Sequence, residues 1–325
     1  MQRIENLRWK PHWVSHLGCV QGCLDHLGIS LSDGWLYGGT GHAFVINMHN
    51  ELCPSGPTAW NTGMLFELGR NLGYEFDTLA MAIGPQADYA AARQQAWTKV
   101  REAIDAGTPC YGWGFGFPEF LVVNGYDEVG YYLSGPGSEE REMPFPWEKL
   151  GTDDVGIIEV YAIKPGTAAP DIQVIKRAFE QALKHAANPP DWIFPGYKSG
   201  VAGFDAWIAA LEADSLTDDD GDPLLGLAFN AGVWEECRRN AVAFLDEAKT
   251  RMANGHTALF DEALTSYHTV AENLKGVAEL YPFFGRKPEM LQDVERKQTA
   301  LTHLRAAREA EATGLNTLAR ICEAI

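Results

Sequence analysis

A change of periodicity near residue 164 constrains this chain more than any single motif does. Residues 164–171, KPGTAAPD, have the composition of a linker. Before them, short β-rich stretches alternate with turn signals. After them, apolar residues recur at spacings of three and four, the signature of amphipathic helices. A doubly wound sheet needs strands and helices alternating along its whole length, so that architecture is excluded. The expectation is an α+β domain over residues 1–165, followed by a helical bundle domain over residues 166–325.

Within the first region, residues 15–27 read as a helix, 41–48 as a strand, and CPSGPTAW (53–60) as a turn whose Thr58 caps a helix running to about residue 72. Residues 76–83 are a strand, and Pro85 opens an alanine-rich helix that stops near Gly107. Four short strands follow at 109–114, 119–126, 129–135 and 155–163, and the brief turns between them predict an antiparallel meander. The glycines of GWGFGF (112–117) are expected to let the chain bend between two strands. In the second region, helices are expected over 172–186, 200–214, 224–252, 256–280 and 288–325. DDDGD (218–222) lacks the closing Glu of a calcium loop and runs into Pro223, so it reads as an acidic turn that caps the next helix.

Charge excludes one class of partner. The net charge is −18, shared as −10 over residues 1–165 and −8 over residues 166–325, with no basic cluster, so nucleic acid is not an expected partner. A cationic small molecule would be attracted, although solubility alone also accounts for an acidic surface. No run reaches the roughly 18 apolar residues of a membrane span, and the first residues do not resemble a signal peptide, so no membrane association is expected. Six cysteines without a CxxC pair suggest reduced thiols and a cytoplasmic setting. GxGxxG and GxxxxGK[ST] are absent, as is metal-ligand spacing, so the expectation is no cofactor and no metal.

Residues 16–44, HLGCVQGCLDHLGISLSDGWLYGGTGHAF, hold the first candidates for chemistry. Cys19 and Cys23 stand at i and i+4 early in a helix, where the macrodipole and unpaired N–H groups favour a thiolate and can form an oxyanion hole. The competing reading is two small residues packed in a core. Cys19 is the preferred nucleophile because it lies closer to the helix start, with Gly18 and Gly22 leaving room for a ligand. His42 is the candidate base, against the alternative of a turn histidine bonded to backbone. His16 and His26 lie three residues from Cys19 and Cys23 respectively.

A second informative stretch, residues 109–136, ends an apolar strand in Gly125-Tyr126-Asp127, turns, and returns as GYYLS. In outline it resembles the second half of a papain-like cysteine peptidase of the bacteriocin-processing type. Cys19 with its helix, ISLSDGWLYGGTGHAF, CPSGPTAW, PEFLVVNGYD and the helical second half together resemble the butirosin biosynthesis protein H family. That resemblance implies a papain-like N-terminal domain joined to a helical domain. It also implies aminoacyl transfer from an acyl carrier protein thioester to an amine-bearing small molecule. Cys19 would be the nucleophile, His42 the base, and Glu119 or Asp127 the group that orients the base or grips the amine. Two departures stand out. Glu119 occupies the position of the peptidases' strand histidine, and counting back from Gly28 places their nucleophile at Ser15. The alternative function is therefore a catalytically inactive papain-like domain, retained as a small-molecule binding or assembly module. The oligomeric state stays open, a homodimer included.

Overall fold

A computed structural model describes residues 1–325 apart from 154, 214–222 and 253–255. The acidic turn expected at 218–222 lies outside the described residues. The chain forms two units: Met1–Leu31 with Gly73–Ala168, and Ser32–Leu72 with Ala169–Ile325.

The chain opens with β1 (Gln2–Arg3) and α1 (Ser15–His26), both in the first unit. It then supplies α2 (Asp33–Gly39), a 3₁₀ turn at His42–Phe44, β2 (Asn47–His49) and α3 (Gly63–Gly69) to the second unit. The first unit resumes with β3 (Tyr74–Ile83), α4 (Tyr89–Asp105), β4 (Cys110–Trp113), β5 (Leu121–Tyr126), β6 (Gly130–Ser134), β7 (Phe145–Pro146) and β8 (Ile157–Pro165). The second unit continues with α5 (Asp171–Ala186), β9 (Tyr197–Ser199), α6 (Gly200–Glu212), α7 (Pro223–Arg251), α8 (Thr257–Leu280) and α9 (Val294–Ala324).

The first unit is an α+β arrangement built on one antiparallel sheet. Its strand order is β3-β8-β4-β5-β6-β7, with β1 paired to β5. Strands β4 to β6 are the first three strands of the expected meander, and an unforeseen β7 extends it; the fourth expected strand, 155–163, does not continue the meander. The last strand, β8, inserts between β3 and β4, with Ala162 opposite both Asp77 and Cys110. Helices α1 and α4 both lie against this sheet. Gly114, at φ +102°, turns the chain out of β4; a Cβ there would come within 2.3 Å of the Ile157 carbonyl oxygen.

Residues 32–72 depart from the expected layout. The sequence reading groups them with residues 1–165, yet they pack with the later helices. The physical reason lies in α2, a helix not foreseen between the first helix and the strand expected at 41–48. Ser32 caps it by accepting the Trp35 N–H at 3.0 Å. Gly34 and Gly38, one turn apart, give α7 its close approach: a Cβ on Gly38 would stand 1.9 Å from the Phe244 ring. Those glycines serve helix packing. The strand expected over 41–48 is instead the His42–Phe44 turn followed by three strand residues, because Arg238 of α7 takes the carbonyls there. It donates to the Ala43 and Val45 carbonyls at 2.8 Å each and to that of Phe44 at 3.4 Å. Its remaining donors form a two-pronged bond to Glu311 of α9, 2.8 Å on each side, with both side chains fully buried. All five guanidinium N–H groups are thus used.

In the second unit the helices match expectation to within a few residues, apart from α9, which starts six residues late after a 3₁₀ turn at Pro288–Leu291. One short ladder was not foreseen, β9 pairing with β2 from Asn47↔Ser199 to His49↔Tyr197. Thr58 does not cap α3, whose N-cap is Thr62. Among the described residues, no helix is long and apolar enough to cross a membrane.

Candidate functional site

The first turn of α1 carries a polar constellation that combines a hydroxyl, a desolvated carboxylate and a helix start. Ser15 is the first residue of α1, after an extended Val14 that provides no side-chain cap. Its hydroxyl donates a short hydrogen bond to the Glu119 carboxylate and accepts the Phe120 N–H at 3.1 Å. Residues 104 positions apart in the sequence are thereby joined.

Glu119 sits just before β5, not within it, and its own N–H donates to the Phe117 carbonyl at 2.8 Å. The strand expected over 119–126 thus starts two residues late and leaves Glu119 outside it. The side chain is half-buried. Burial pushes the Glu119 carboxyl up to about 7, and the Ser15 hydroxyl holds it partly back. Sequence reading has Glu119 orienting His42 or gripping an amine; the partner found is the serine hydroxyl.

Cys19 lies one turn deeper and is 0% exposed. Burial raises its thiol well above the ordinary range, and Cys23 and Glu119 raise it further. The helix start was expected to lower this value, but desolvation dominates, since a thiolate sealed in a core loses its hydration. Cys23 is equally enclosed, and burial and then Cys110 raise its thiol; burial pushes Cys110 itself up to about 12. The glycines beside Cys19 do not open a path for a ligand. Residues 8–10 lie across them: a Cβ on Gly18 would meet the Lys10 carbonyl at 2.3 Å, and one on Gly22 the Arg8 carbonyl at 2.0 Å.

His16 is the imidazole that α1 brings to this region. Its Nε2 lies 2.9 Å from the Tyr111 hydroxyl, and its ring meets Phe120 edge-on at 5.0 Å between centroids. Burial lowers its pKa to about 3, which keeps it neutral and weakly basic. Tyr111 belongs to β4 and also packs against Tyr161, whose hydroxyl donates to Glu159 at 3.0 Å. Burial raises Glu159 as well. Sequence reading did not single out Tyr111, Glu159 or Tyr161; their alternation on β4 and β8 was visible but reads equally well as core.

His42 belongs to the helical unit. It is 2% exposed and packed against Tyr37 and Trp60, with ring centroids at 6.3 and 5.8 Å. Asp127 stands in the turn between β5 and β6 and is bound up in that hairpin. Its Oδ1 accepts from Val129 N at 2.8 Å and Gly130 N at 3.2 Å, and its Oδ2 from the Tyr132 hydroxyl at 2.8 Å. The Tyr132 hydroxyl, then the Val129 N–H, hold its carboxyl below the usual range. Those bonds organise the turn. Of the four residues singled out, then, α1 and the β4–β5 loop bring Cys19 and Glu119 together, Asp127 serves its own hairpin, and His42 lies in the other unit.

Among the described residues, no group of three or more His, Cys, Asp or Glu side chains could hold a metal ion. No protein-family model matches this chain, and no curated protein matches it either.

Proposed function

We propose that the sheet unit is a papain-like domain without thiol catalysis, which holds an amine-bearing small molecule on Glu119, in a cytoplasmic chain of the butirosin biosynthesis protein H type. The observation that carries this reading is the contrast on α1: a sealed Cys19 whose thiol is pushed well up, beside a half-buried Glu119 whose carboxyl is pushed up to about 7. A carboxylate raised by desolvation gains most from a cation that supplies the missing opposite charge. The Ser15 hydroxyl orients it, and the acidic chain favours the approach of a cation. Six free thiols suit a reducing compartment. What supports the papain-like reading is that counting along the sequence puts Ser15 at the nucleophile position and Glu119 at the strand-histidine position, and that the two are hydrogen-bonded.

The test is calorimetric titration of the full chain with kanamycin at pH 6 and pH 8, beside Glu119→Gln. Binding should strengthen as Glu119 ionises, and the variant should lose both the binding and its pH dependence. A thioester probe, S-acetyl-N-acetylcysteamine, supplies the opposing outcome. If the native protein consumes it and Cys19→Ser does not, thiol acyl transfer from a carrier-type thioester replaces this reading.

A further inference from the structure

The helical unit has a groove of about 370 Å³ between α3 and α5, with Trp192 also in its lining. Four α5 residues line it: Arg177, Glu180, Gln181 and Lys184, at i, i+3, i+4 and i+7, which is one stripe of a helix. Opposite them, Met64 and Leu68 of α3 lie one turn apart and form a buried apolar floor.

The charges along this groove are not evenly matched. Arg177 lies 3.4 Å from Glu180 and 4.0 Å from Glu67, so one guanidinium is shared between two carboxylates. Lys184 has no carboxylate within ion-pair distance among the described residues; its ammonium rests over the Trp192 ring, 4.0 Å from the centroid. One turn away, the amide nitrogen of Gln181 is buried with no hydrogen-bond acceptor. A buried donor without an acceptor costs about 1–3 kcal/mol, so its place on a groove wall points to an acceptor that comes from outside the chain.

We infer that this groove binds a small carboxylate with an apolar body. The carboxylate accepts from Lys184 Nζ and, once the Gln181 side chain turns out toward the groove, from its Nε2, and the body lies on Met64 and Leu68. This site is independent of the one at Glu119 and calls for a ligand of opposite sign.

Saturation-transfer NMR and calorimetry with phenylacetate on the full chain test it. Phenylacetate should bind saturably. Its neutral isostere phenylacetamide should bind about tenfold more weakly, the size of one charge-assisted hydrogen bond. Lys184→Met should weaken phenylacetate about tenfold and Gln181→Leu by a smaller factor, while Glu119→Gln leaves it unchanged. Lys184 is exposed, so its variant should fold, which circular dichroism checks. Equal binding of acid and amide, retention of binding in Lys184→Met, or no saturable binding would each overturn the assignment. Loss of kanamycin binding in Glu119→Gln with phenylacetate binding intact separates the fate of the two sites.

Discussion

Glu119 and Glu311 are both withdrawn from water, one in each unit, and their surroundings are opposite in kind. Glu311 meets a two-pronged guanidinium whose other donors are all used, so its charge is answered in full. Glu119 meets a single hydroxyl, which cannot neutralise a charge, and its carboxyl rises to about 7. The first arrangement is what a fold does with a carboxylate that never changes state. The second leaves a carboxylate sensitive to pH and to any cation that arrives. The difference lies in the partner supplied more than in the depth of burial.

The largest expected effect is at the answered pair. Glu311→Gln leaves the Arg238 charge buried without its counter-charge and should cost about 3–5 kcal/mol in urea unfolding. Arg238→Met with Glu311→Leu should not restore full stability, because the carbonyls of Ala43, Phe44 and Val45 lose their donor. Full recovery in the double variant would show that the carbonyl contacts matter little.

Glu119 should behave in the opposite way with pH. Its carboxyl in the folded chain, about 7, lies above the ordinary 4.5, so the unfolded chain releases the proton first. The stabilisation is complete below pH 4.5 and is lost as pH rises through 7, about 3 kcal/mol in all. Glu119→Gln should flatten that slope in denaturation measured from pH 4 to 8, and an unchanged slope would remove Glu119 from the account. Ser15→Ala comes next in size, at about 1–2 kcal/mol. It removes the donor that holds the carboxyl down, so the Glu119 carbon resonance should titrate at still higher pH than in the parent. Smallest is the thiol response. Iodoacetamide at pH 8 should modify Cys53 and Cys322, which are partly exposed, while the buried Cys19, Cys23, Cys110 and Cys237 react only after unfolding. Mass spectrometry showing early labelling at Cys19 would return it to the role of nucleophile.

What the sequence made legible follows from which signals are local. The helices after residue 170 announce themselves by spacing, and four of them fall within a few residues of where the periodicity puts them, while α9 starts six residues late. The hairpin of β5 and β6 is legible from Gly125-Tyr126-Asp127, whose Asp127 does fix the turn. Helix α2 was illegible because glycine marks both turns and close helix contacts, and only the Phe244 ring distinguishes the two. Arg238 gave no sign of burial, since a charge in a long helix ordinarily faces water and its partners lie 73 and about 195 positions away. At the site, counting from Gly28 pointed to Ser15 and the strand position pointed to Glu119, and those two residues do touch. Cys19 drew the chemical reading because its helix position was visible, whereas the strap of residues 8–10 over Gly18 and Gly22 was not.

The grip of Arg238 on residues 43–45 also sets an order of events at the ribosome. Those carbonyls are made early, and the guanidinium that satisfies them is encoded roughly 195 residues later. At the usual 5–20 residues per second, the segment waits on the order of ten seconds or more for its partner. The sheet, by contrast, is fully synthesised once β8 has emerged at residue 165. The early segment of the helical unit is therefore born before its own core, and through that interval it depends on water, or on a chaperone, for the bonds that Arg238 will later supply.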